Sequence, residues 1–65
     1  MATQERITVE RASELLFKAG IHSDYDLGYV REVGPVDLGG GVFLTFLNDQ
    51  DHPEGFYLVR ITLAG

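Results

Sequence analysis

The chain has 65 residues, ten acidic against five basic, a net charge of −5, and no cysteine. That length makes one small domain, 1–65, and the missing thiols exclude a disulfide framework and a thiolate metal centre. Binding to DNA or RNA through phosphate needs clustered Lys and Arg, whereas Arg6, Arg11, Lys18, Arg31 and Arg60 are scattered, so direct nucleic-acid contact is not expected.

Residues 1–6 are polar and are expected to fray. They carry no basic segment followed by an apolar run, so no secretory leader is read there. No stretch approaches the roughly 20 apolar residues of a membrane span. A cysteine-free chain suits a reducing cytoplasm, the expected location.

Thr8 is placed to cap a helix over residues 9–19, its hydroxyl accepting a first-turn N–H, with Glu10 near the positive end. Ala12, Leu15, Leu16 and Ala19 repeat at i, i+3, i+4, i+7 and make the apolar face. Arg11, Glu14 and Lys18 lie opposite, with Glu14 and Lys18 at the favourable i, i+4 spacing. Gly20 followed by Ile21 reads as a left-handed C-terminal cap, Ile21 folding back on Leu16.

A polar connector, 22–26, leads to residues 27–33, which read two ways. A helix would start at Ser23, with Asp26 completing a capping box, and stop before Gly34 and Pro35. The β-branched and aromatic content, with Gly28 inside, favours a strand. Residues 34–41 read as a turn-rich connection.

Residues 42–63 read as a β-hairpin, with strands 42–47 and 56–63 flanking an acidic loop. Side chains alternate across a strand. Tyr57, Val59, Ile61 and Leu63 are the wholly apolar set, so Val42, Leu44, Phe46, Val59, Ile61 and Leu63 are assigned to the core. Phe43, Leu47, Phe56 and Leu58, among Thr45, Arg60 and Thr62, then form the outer face, more apolar than a solvated face normally is. The expected fold is α+β: one N-terminal amphipathic helix packed on a three-stranded antiparallel meander, in the order α-β-β-β.

One helix cannot cover both sheet faces, and a large apolar patch on a small domain usually marks a binding surface. The expected function is therefore that of a small acidic protein-interaction module, a stand-alone inhibitor or adaptor of a larger protein, or a homodimer. Phe43, Leu47, Phe56 and Leu58 would anchor the partner, Arg60 would stand at the rim, and Asp49, Asp51 and Glu54 would steer toward a basic surface.

The other chemistries are weaker. Counting Asp49 as the first position of a calcium loop puts Glu54 where glycine is required and Arg60 where the bidentate glutamate belongs. A metal site on His52 would need His22, Asp24 or Asp26 from another loop, a second-rank reading. The run Gly39, Gly40, Gly41 leads into a strand and lacks the lysine of a phosphate loop. Ser13 and Ser23 sit in no nucleophile elbow, so no enzyme activity and no cofactor are expected.

Residues 7–16 are similar to the opening helix of many helix-turn-helix proteins. That resemblance implies a recognition helix at 24–32, which carries three acids and one arginine, the wrong sign for a DNA groove. The spread of carboxylates along the chain also resembles the strategy of small acidic inhibitors of nucleic-acid enzymes, some phage anti-defence proteins among them. That is the alternative function: a nucleic-acid mimic.

Overall fold

The computed structural model describes residues 2–61; Thr62 and Leu63, assigned above to the hairpin, lie outside the described residues. Residues expected to fray form the first strand, β1 (Ala2–Ile7). Its composition is that of an exposed edge, and only Ile7 reaches the core. What holds it is β4 (Gly55–Ile61), along which it runs antiparallel from Ala2 opposite Ile61 to Ile7 opposite Phe56. A terminal segment tied into a sheet does not fray.

A single residue, Thr8, separates β1 from helix α1 (Val9–Lys18). Extended at ψ 162°, Thr8 caps the helix, its Oγ1 accepting from the Arg11 N–H at 3.1 Å. Ala12 and Leu16 are the residues α1 buries fully, and the small Ala12 lets the helix lie close to the sheet. At the other end Gly20 takes a φ of 73°, its N–H reaching the Phe17 carbonyl and that of Ile21 the Leu16 carbonyl. These are the two bonds of a Schellman cap, and Ile21 packs against the core as expected.

Residues 27–33 are not a strand. Leu27–Glu32 form helix α2, capped by Asp26, whose carboxylate accepts from the Tyr29 N–H at 2.8 Å. The helix starts three residues later than a Ser23 cap would place it. Gly28 costs a helix about 1 kcal/mol. The cap returns about as much, and burial of Val30, 1% exposed, adds about 1.5–3 kcal/mol more.

The turn-rich connection also holds a strand, β2 (Val36–Gly39), paired antiparallel with β3 (Val42–Leu47). The register slips by one between Asp37 and Gly39. The two-residue loop that follows, Gly40 and Gly41, has φ of 64° and 77°. Positive φ at both positions is what a tight hairpin with native twist requires, and glycine adopts it without strain.

The sheet order is β1-β4-β3-β2, all antiparallel. Both helices lie in the one crossover, from β1 at one edge to β2 at the other. They therefore cover the same face, α1 against β4 and α2 against β3. The architecture is α+β with four strands and two helices, in place of the expected three-stranded meander and single helix.

The β3–β4 register decides which side chains go inside. Leu44 lies opposite Leu58, Phe46 opposite Phe56 and Val42 opposite Arg60, and directly opposed residues share a face. Val36, Leu44 and Phe56 join Ala12, Leu16 and Val30 in the core, and Leu58 is buried on the same face. For β3 the expected inward set holds; for β4 it is inverted. Phe56 and Leu58 face the helices, 5% and 6% exposed, and Val59 and Ile61 face away.

Candidate functional site

The second face of the sheet carries Phe43, Thr45 and Leu47 from β3 and Tyr57, Val59 and Ile61 from β4, with Phe43 directly opposite Val59 and Thr45 opposite Tyr57. Among the described residues, both helices pack on the other face. Pro35, Phe43, Thr45, Val59 and Ile61 line a shallow groove of about 330 Å³, apolar apart from the threonine hydroxyl. Ile61 remains 46% exposed. Toward one edge Asp37 stands opposite Phe43; toward the other, Gln4 of β1 stands opposite Val59.

At the far end the face meets the exposed loop 48–54, which folds over Tyr57 through His52 and Pro53. The Tyr57 hydroxyl donates to the Pro53 carbonyl at 2.8 Å, and the His52 ring meets the Tyr57 ring edge-on with centroids 5.7 Å apart. On its other side His52 presents Nε2 to the Gln4 side-chain oxygen at 3.0 Å, and Arg6 donates to the Glu54 carbonyl at 2.8 Å. Loop and edge strand thus hold each other, and Tyr57 is buried between them although it belongs to the uncovered face.

Within the loop, Oδ1 of Asp49 accepts from the Asp51 N–H at 2.9 Å, the His52 N–H at 2.8 Å and the His52 ring Nδ1 at 2.9 Å. The hydrogen bond from the His52 ring holds the Asp49 carboxyl below the usual carboxylate range against the opposing effect of desolvation, with the two backbone donors adding to it. Asp49 is therefore committed to shaping the loop, while Asp51 and Glu54 are exposed.

The structure redistributes the expected partner-binding residues. Phe43 and Leu47 are on the uncovered face as expected. Phe56 and Leu58 are not: both are buried on the helix-covered side. Arg60 also belongs to that side, where it lines a groove with Arg11, Lys18 and Leu38. The residues missed were Val59, Ile61 and Pro35. Their signal was the unbroken apolar set of β4, read as core because it was the more apolar of the two.

Three more carboxylates have local partners. Asp26 caps α2, Asp37 accepts from the Gly39 N–H at 2.7 Å, and Glu14 pairs with Arg11 and Lys18. The Lys18 ammonium, hydrogen-bonded to Glu14, and then the Arg11 guanidinium hold its carboxyl below the usual range. Among the described residues no three of His, Cys, Asp and Glu gather as a metal site would need. His22 stacks on Phe17 with centroids 4.5 Å apart.

The likeness to a helix-turn-helix ends with α1. The next helix has six residues, packs on β3, and leads into a sheet instead of a third helix. No helix among the described residues is long and apolar enough to cross a membrane. Comparison with protein-family models, with curated proteins and with solved structures returned no match to this chain.

Proposed function

We propose that this chain is a non-enzymatic protein-binding module, an inhibitor or adaptor that docks a larger protein on its uncovered sheet face. The observation that carries this is the groove of Pro35, Phe43, Val59 and Ile61 on a face that no helix among the described residues crosses. Aromatic and branched side chains in such a patch are what a partner can desolvate for affinity. Phe43 and Val59, opposed across β3 and β4, are the central anchors.

The partner is an apolar protein surface rimmed by Lys or Arg. Asp37 borders the patch, Asp51 and Glu54 stand exposed on the loop beyond its end, and the whole chain carries −5. That field speeds encounter with a basic surface and opposes pairing of two copies. A cytoplasmic setting accords with a chain free of cysteine.

The test is the double substitution Phe43→Ser with Val59→Ser. The variant should keep its circular dichroism spectrum and a cooperative melt. A partner isolated on the immobilised wild-type chain, then purified, should bind that chain more weakly as salt rises. It should bind the variant at least about tenfold more weakly. Equal binding to both chains would refute the docking face. So would a concentration-stable dimer of the wild type that the same substitution dissolves, since the face would then belong to a second copy.

A further inference from the structure

The sheet has two edges, and they are built differently. β2 is four residues long, follows Pro35, slips register between Asp37 and Gly39, and engages the Gly39 N–H with the Asp37 carboxylate at 2.7 Å. Short length, proline and bulges are the devices that keep an edge from pairing further. β1 has none of them: it is six residues without Gly or Pro, in unbroken register with β4. Its two charges, Glu5 and Arg6, are of opposite sign.

Which backbone groups face out along β1 follows from the hydrogen-bond ladder. The Ile61 N–H donates to the Gly41 carbonyl at 2.8 Å, so Ile61 turns toward β3. Along an antiparallel strand, residues that turn N–H and C=O to one neighbour alternate with those that turn them to the other. Val59 and Tyr57 therefore also face β3, while Arg60, Leu58 and Phe56 face β1, where they meet Thr3, Glu5 and Ile7. Ala2, Gln4 and Arg6 turn theirs outward, where no strand among the described residues receives them. The two long side chains leave that row clear. Gln4 reaches the His52 ring at 3.0 Å, and Arg6 lies against Gly55 to reach the Glu54 carbonyl at 2.8 Å, both toward β4. The edge is thus held extended before anything binds to it, which lowers the ordering cost of pairing.

We propose that β1 receives an extended basic segment of the partner as a fifth strand, antiparallel and bonded to Ala2, Gln4 and Arg6. The proposal rests on the docking reading for the protein nature of the partner, and adds how that partner is gripped. Strand addition takes affinity from main-chain bonds and specificity from alternate side chains. Directly opposed residues share a face, so side chains set against Ala2, Gln4 and Arg6 extend the uncovered face beyond Val59 and Ile61. The alternate ones stand beside Thr3 and Glu5. Arg6 disfavours a cation in the first row, whereas exposed Glu5 and the net charge of −5 favour Lys or Arg in the second. A second copy is a poor occupant, because it brings the same −5.

The probe is a blocked heptapeptide of alternating lysine and valine, lysine at both ends. It is titrated into the full chain at low ionic strength and followed by backbone amide shifts and exchange. Saturable shifts should centre on Ala2–Ile7, and exchange at Gln4 and Arg6 should slow. N-methylation of the valine amides removes the donors aimed at β1 and should weaken binding by about tenfold; N-methylation of the lysine amides should not. Gln4→Pro removes one outward donor without touching the ladder to β4, so it should keep a cooperative melt and bind about tenfold more weakly. Gln4→Ala, which loses the His52 contact but keeps the donor, should bind as the wild type does. Glu5→Lys should weaken binding. Phe43→Ser with Val59→Ser should leave it unchanged, so that the edge and the docking face fail separately. No saturable shifts, shifts centred away from β1, equal loss with either set of methylated amides, or undiminished binding by Gln4→Pro would overturn the added strand. So would a dimer of the wild type that Gln4→Pro dissolves, since the edge would then belong to a second copy.

Discussion

The two faces of β4 are both apolar, yet they differ in what they do for the molecule. Phe56 and Leu58 point under the helices and are almost wholly removed from water, while Val59 and Ile61, one residue out of phase, point to a face with no second layer among the described residues. Tyr57 is the instructive case between them. It shares the open face but is buried, because the loop 48–54 folds over it and its hydroxyl finds the Pro53 carbonyl. Burial here follows from what lies across a side chain, and side-chain type alone does not decide it.

The largest effects should come from the covered face. Leu44→Ala, at a position 0% exposed and opposite Leu58, should cost about 2–5 kcal/mol in urea denaturation, enough to leave a domain this small largely unfolded. The neighbouring Phe43→Ser, on the uncovered face, should cost about 1 kcal/mol or less, so that the pair of measurements separates the two faces directly. Equal losses would mean that something covers the second face after all.

Smaller effects sharpen the comparison at its edges. Asp26→Ala should remove about 1 kcal/mol by uncapping α2, and Asp26→Asn should restore most of it. Tyr57→Phe should cost about 1 kcal/mol, the net worth of one hydrogen bond, and should raise amide exchange in the loop 48–54 before anywhere else. Smallest is the response to acid. The Asp49 carboxyl titrates lower in the folded chain than in the unfolded one, so its contribution is present above the ordinary carboxylate range. That contribution is lost as pH falls through the lowered value. Acid melts of Asp49→Asn should lack this part of the decline, and a wild-type curve of identical shape would show that the His52 contact carries none of it.

Much of the fold could be read from local signals. Thr8, the period of Ala12 and Leu16, and Gly20 with Ile21 mark α1 because caps and helical period act within a few residues. Strand signals at 42–47 and 56–61 were strong for the same reason. The elements missed were those that depend on a distant partner. β1 has a polar, exposed composition and exists because β4 offers it an edge. For 27–33, the β-branched content outweighed Asp26 and the Gly34–Pro35 stop, although capping and burial of Val30 decide the matter. The inverted face of β4 is a one-residue error of phase, and register in an antiparallel pair is set by the partner strand. It carried Phe56, Leu58 and Arg60 to the wrong side of the candidate site, while Phe43 and Leu47 survived because β3 was phased correctly.

The position of β4 between β1 and β3 has a kinetic consequence. The strand made last among those described is an inner one, so β1 has no strand to pair with until Gly55–Ile61 has been synthesised. The β2–β3 hairpin, closed by two glycines, can form on its own within about microseconds. The pairing of Ala2 with Ile61 joins the two ends of the described chain, and such distant contacts slow the crossing to the native state. On the ribosome the N-terminal strand therefore waits until β4 has emerged, with the apolar side chains of β3 uncovered until β4 arrives to pair with both.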